Sequence, residues 1–177
     1  MILQLSITII ITIIAIVVVW QTLQGRRFGP FVPSNMKMLR RALQQLSLNP
    51  NDTFIDIGSG DGRAVIVAAK QFGLRADGIE IAPVLCWWAT IRTWLAGVYS
   101  RTKIICGDLY QLDLSNYSII YIFGLPTNIQ TKVYEKLQHE CKSGTYIISY
   151  SFSLPQQQPI KILQDRWRKI MIYRIEK

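Results

Sequence analysis

The 177-residue sequence predicts an α/β fold: a doubly wound, mainly parallel seven-strand sheet closing on a C-terminal antiparallel hairpin, preceded by one N-terminal transmembrane helix. Three observations predict it. Strand-like and helix-like hydrophobic patterns alternate through the middle of the chain, as expected when helices cover both faces of a parallel sheet. The last two apolar runs, 160–164 and 169–175, are separated only by Asp165-Arg166-Trp167-Arg168. That is too short for a crossover helix, so the two runs pair as a hairpin. The first run, Ile2 to Val19, holds no charge, and at ~1.5 Å per residue it gives roughly 27 Å of helix, a bilayer span.

Taken in order, the elements follow from the same reasoning. No Lys or Arg precedes the first apolar run and no small-residue cleavage site follows it, so residues 1–24 read as an uncleaved anchor. Trp20 serves as its interfacial residue. Arg26-Arg27 then places the following domain in the cytoplasm by the positive-inside rule, at the inner membrane in a prokaryote. Residues 25–50 form a linker and an N-terminal helix expected to cover the site described below. Ser34 caps that helix, and Met38, Leu39, Ala42, Leu43 and Leu46 mark its buried face. Asn49-Pro50-Asn51-Asp52 is a turn into the main domain, 51–177. Strands are expected at 54–57, 76–81, 103–106, 118–123 and 146–152, and helices at 63–72, 83–98 and 128–141.

Composition narrows the functional classes. The net charge of +9 arises from 20 Lys+Arg against 11 Asp+Glu spread along the chain. A domain tethered to an anionic leaflet accounts for such a balance. No run of interleaved basic and aromatic residues resembles a stacking platform, which argues against nucleic acid as partner. Cys86, Cys106 and Cys141 form no C-x-x-C pair and read as buried thiols, neither a disulfide framework nor a metal site. His139 reads as a surface residue, and Tyr110, Trp87 and Trp88 as packing residues.

The chemistry concentrates at Asp56-Ile57-Gly58-Ser59-Gly60-Asp61-Gly62, between the first strand and the helix opening at Arg63. Glycines at alternate positions let the backbone pass close beneath a nucleoside. A dinucleotide site wants G-x-G-x-x-G. Here the third glycine, Gly62, comes one position early, and Arg63 stands where a dinucleotide site has its last glycine. Asp56 at the strand end would repel a pyrophosphate and attract an ammonium. The ligand suited to this turn is S-adenosylmethionine, with Asp56, Gly58, Ser59, Gly60 and Gly62 lining its methionine half. Asp61 and Arg63 either orient the turn by pairing or are solvated. Glu80, closing the second strand, is placed to accept the ribose hydroxyls.

An Asp-x-Gly-x-Gly-x-Gly string after a hydrophobic strand resembles the first motif of the class I, seven-strand methyltransferases. The fuller run Phe54–Arg63 is similar to the membrane-anchored protein-lysine branch that includes the ATP synthase c-subunit lysine methyltransferase. The resemblance extends from about Phe31 to the C-terminus. It implies a Rossmann-like methyltransferase fold, an Asp108 contact to the adenine amino group and Leu109 packing on the adenine ring. It also implies that Phe31-Val32-Pro33-Ser34 folds over the methyl end.

At the fourth strand end the chain has Phe123-Gly124-Leu125-Pro126, where DNA and glutamine methyltransferases carry Asn/Asp-Pro-Pro-Tyr. This departure argues against nucleobase and glutamine acceptors and suits an alkyl chain. The expected function is therefore transfer of a methyl group to a lysine of a membrane-associated protein, in a slot formed by Phe31, Phe123 and Pro126. No residue stands out as a general base. A lipid or small hydrophobic acceptor, and a non-catalytic binding module, are the alternatives.

Overall fold

The computed structural model describes residues 4–9, 11–12, 35–123, 127–166 and 168–177. Among them, no helix is long and apolar enough to cross a membrane. The described helical residues at the N-terminus are 4–9 and 11–12, with the Thr8 and Thr12 hydroxyls donating to the Gln4 and Thr8 carbonyls. The expected transmembrane helix, and with it the single-pass placement in a membrane, is corrected accordingly. Residues 13–34, including Ser34 and most of the linker, lie outside the described residues.

The first helix of the main body, α1 (Met36–Leu43), is capped by Asn35 rather than Ser34: the Asn35 side chain accepts from the Lys37 amide at 3.0 Å. Then follow β1 (Thr53–Ile57), α2 (Arg63–Phe72), β2 (Arg75–Glu80), α3 (Pro83–Leu95) and β3 (Thr102–Cys106). The second half holds β4 (Ile119–Phe123), α4 (Thr127–Glu140), β5 (Tyr146–Tyr150), β6 (Lys161–Gln164) and β7 (Lys169–Arg174). Strand order is β3-β2-β1-β4-β5-β7-β6. The first five strands in that order run parallel, and β7 pairs antiparallel with both β5 and β6. The doubly wound sheet and its terminal hairpin are as the sequence predicts.

Alternation along the strands builds two cores, because successive side chains point to opposite faces. On one face Phe54, Tyr121, Ile148 and Ile170 meet α1 and α2 through Met38, Leu39, Ala64 and Ala68. On the other, Ile55, Ile57, Ile120, Ile122 and Ile147 meet Val133 and Leu137 of α4. Helix α3 buries Cys86, Ala89 and Thr93 but leaves Trp87 and Trp88 exposed, so these two do not pack inward as expected. Tyr110 is likewise exposed, and so is Cys106, whereas Cys86 and Cys141 are buried. Burial pushes the Cys141 thiol up to about 12. His139 is exposed, as expected.

Candidate functional site at the carboxyl edge of the sheet

Strand order reverses between β1 and β4, the place where an open α/β sheet leaves a crevice beyond its carboxyl ends. The β1–α2 turn lies at this crevice. Gly58, Gly60 and Gly62 have φ of 74°, 54° and 74°, values that side chains rarely adopt and glycine adopts freely. The Gly58 and Ser59 amides donate to the Ile79 carbonyl at 2.9 and 3.0 Å, tying the turn to β2.

Glu80 holds the next contact. Its Oε2 accepts from the Gly60 amide at 2.9 Å, and its Oε1 accepts from the Ile81 and Ala82 amides at 2.9 and 3.0 Å. A carboxylate offers about four lone-pair positions. The three backbone donors therefore fix the carboxylate in place and leave roughly one position for a ligand hydroxyl. The Gly107 amide donates to the Glu80 carbonyl at 2.9 Å and brings the end of β3 alongside. There Asp108 accepts from the Tyr110 amide at 2.9 Å, capping a short 3-10 turn in which Leu109 is buried.

Asp56 is 4% exposed, between its register partners Gly78 and Tyr121. Burial, and then the nearby carboxylates of Glu80 and Asp61, raise its carboxyl well above the ordinary range. Asp61 behaves oppositely. Its burial would raise it, but hydrogen bonds from Arg63 and the charge of Arg92 hold it below its ordinary value. Arg63 donates to it through Nε and Nη2 at 2.8 and 2.7 Å, and Arg92 of α3 donates to both its carboxylate and, at 3.1 Å, its backbone carbonyl. Asp61 and Arg63 thus pair. The third member, Arg92, has no local sequence signal because it lies on another helix.

Gly78 is a second residue that sequence reasoning missed. A Cβ there would stand 2.6 Å from the Ser59 Cβ and 2.7 Å from its Oγ. Ser59 therefore tucks inward over Gly78, its hydroxyl buried without a hydrogen-bond partner among the described residues. By contrast, a Cβ at Gly58 or Gly107 would meet nothing within 4 Å among the described residues. That open space at the ends of β1 and β3, the two strands flanking β2 with Glu80 at its end, fits a nucleoside with a cationic tail.

Across the crevice, Phe123 ends β4 opposite Tyr150 at the end of β5, the rings edge to face with centroids 4.9 Å apart. The Arg168 guanidinium lies 5.9 Å from the Phe123 centroid and 5.8 Å from that of Tyr150. Phe31 and Pro126, expected beside Phe123, lie outside the described residues.

A family model, the ANTKMT methyltransferase domain, matches residues 56–161. The ATP synthase c-subunit lysine N-methyltransferase of Mus musculus is 37% identical over 130 residues, covering 73% of this chain and 51% of that protein. A protein-lysine N-methyltransferase of Saccharolobus islandicus is 32% identical over 136 residues, covering 76% of this chain and 84% of its own. Among solved structures, an RNA methyltransferase from Salinibacter ruber in complex with S-adenosyl-L-homocysteine superposes with a TM-score of 0.78 at 29% identity, over 82% of this chain and 95% of that one. The chain spans between 51% and 59% of the length of the vertebrate relatives it matches first.

Proposed function

The chain belongs to the ANTKMT methyltransferase domain family, and from that premise we propose that it is an S-adenosylmethionine-dependent protein-lysine N-methyltransferase. The observation that carries the reading is the buried Asp56 beneath a glycine turn of positive φ, with open space above Gly58 and Gly107. Asp56 would take the ammonium of the methionine tail and Glu80 a ribose hydroxyl, with Asp108 and Leu109 at the adenine. When bound, S-adenosylmethionine supplies a methyl group on a sulfonium, an electrophile that needs little covalent help.

The protein's own contribution is alignment and exclusion of water, and good alignment is worth roughly 7–11 kcal/mol of barrier. The acceptor side supports lysine over a planar amide or nucleobase, because Phe123-Gly124-Leu125-Pro126 after β4 offers no Asn or Asp to grip an amide or exocyclic amine, while Phe123 and Tyr150 offer ring surface. Such a setting holds an alkyl chain and, by desolvation, favours the neutral amine that must attack. Two lysine methyltransferases among the relatives point the same way.

The test is calorimetric titration of the full chain with S-adenosylmethionine beside a Gly60→Arg control, followed by tritiated-methyl transfer into cell fractions. Binding lost in the control and label recovered as methyl-lysine is the expected result. Label in RNA or in the lipid extract would overturn the lysine acceptor. No binding by a folded chain would overturn the methyltransferase reading itself.

A further inference from the structure

The hairpin connection carries a cation onto the acceptor side of the crevice. Asp165 and Arg168 close the β6–β7 turn reciprocally: the Asp165 amide donates to the Arg168 carbonyl at 3.0 Å, and the Arg168 amide donates to Asp165 Oδ1 at 2.9 Å. Because β7 runs antiparallel to β5, this turn stands at the carboxyl edge of the parallel strands. The fixed backbone lays the guanidinium within 6 Å of both the Phe123 and Tyr150 rings, the separation at which a cation is attracted by a ring face. Arg168 is itself exposed, so its side chain can leave without unpacking the core. The Tyr150 hydroxyl, by contrast, is buried with no hydrogen-bond partner among the described residues. A buried, unsatisfied hydroxyl is costly and signals a missing partner.

We infer that Arg168 is a placeholder: its guanidinium rests on the Phe123–Tyr150 ring pair where an incoming lysine side chain docks, and it leaves when that side chain enters. This inference rests on the lysine reading above. An arginine suits the post because it keeps its proton at any physiological pH. It therefore has no free amine to attack the methyl donor. A lysine can take the same cationic position and then, desolvated between the rings, give up its proton and react. The amine lone pair forms the new N–C bond, the C–S bond breaks with its electron pair kept by sulfur, and the displaced proton passes to water. The Tyr150 hydroxyl, without a partner among the described residues, supplies one for the amine.

Two measurements test this. In the first, the cofactor-free full chain is titrated with Nα-acetyl-lysine methylamide while the Phe123 and Tyr150 ring resonances are followed by NMR. Removing the resident cation in R168A should tighten this binding roughly threefold to thirtyfold, the range set by a single cation–π contact. Equal binding by R168A and the native chain, or shifts confined to other residues, would overturn the inference.

In the second, R168K is incubated with S-adenosylmethionine and cell fractions, and the proteins are mapped by peptide mass spectrometry. A methyl group at position 168 is the expected outcome, since the substitution puts an amine where the guanidinium lay. Methylation of other protein lysines with position 168 unmodified would overturn the placeholder and leave the lysine reading intact. Cofactor binding without methylation of any protein lysine would overturn the lysine reading, and the placeholder with it.

Discussion

Asp56 is the site carboxyl whose ionisation the fold opposes. Its carboxyl is raised by burial first and then by Glu80 and Asp61, so it keeps its proton to higher pH when folded than when unfolded. Between those two values the folded protein binds the extra proton, and stability falls as pH rises. Asp56→Asn should remove that slope, which thermal unfolding across a pH series would read directly. An ammonium ligand selects the ionised carboxylate, so S-adenosylmethionine should bind more tightly as pH rises through the raised value and release a proton below it. Titration in buffers of different ionisation enthalpy checks the proton count. Asp56→Asn should weaken binding by about 1.5–3 kcal/mol, the worth of a hydrogen bond to a charged group. The glycines differ in kind. At Gly78 a methyl group collides with Ser59, so Gly78→Ala should cost about 1–3 kcal/mol in urea unfolding. At Gly58 the space is open and only the φ of 74° opposes a side chain, so Gly58→Ala should cost about 1 kcal/mol.

The helices were legible in the sequence to within a few residues because each has its own punctuation. Helix α2 lies between Gly62 and Gly73, both left-handed, and α3 starts on Pro83. What local pattern could not show is the tie between helices. Arg92 sits 31 residues from Asp61, yet it bonds both the carboxylate and the carbonyl of that residue, so α3 steadies the turn that opens α2. Arg92→Met should lower stability by about 1–2 kcal/mol, since Arg63 remains and Arg92 is partly solvated. Amide exchange at Gly60 and Gly62 should quicken more than in the strands, and uniform quickening would argue against a local tie. The same limit explains Gly78, Tyr150 and Arg168, whose roles arise from partners far away in sequence. Trp87 and Trp88 show the reverse failure. Apolarity predicts burial for both, but α3 spends its inward face on Cys86, Ala89 and Thr93. At the N-terminus a hydrophobic run long enough to span predicts a spanning helix, and the described residues carry none.

At the scale of the molecule, the hairpin is part of the core. Ile170, Met171, Ile172, Tyr173 and Ile175 are all buried. At roughly 1.5–3 kcal/mol each their burial approaches about 8–15 kcal/mol, comparable with the entire stability of a domain. A chain ending before Lys169 should therefore show no cooperative unfolding transition by calorimetry, and a folded truncation product would contradict this packing. The seam between β1 and β4 also divides the polypeptide in time. As the chain emerges, every residue assigned to the cofactor, from Asp56 to Leu109, is made before Phe123, Tyr150 and Arg168. Among the described residues, the two sides of the crevice thus come from consecutive stretches of one gene and meet along a single pair of strands. Inheritance can act on them separately: the later stretch can drift toward a new acceptor while the earlier one keeps its methyl donor.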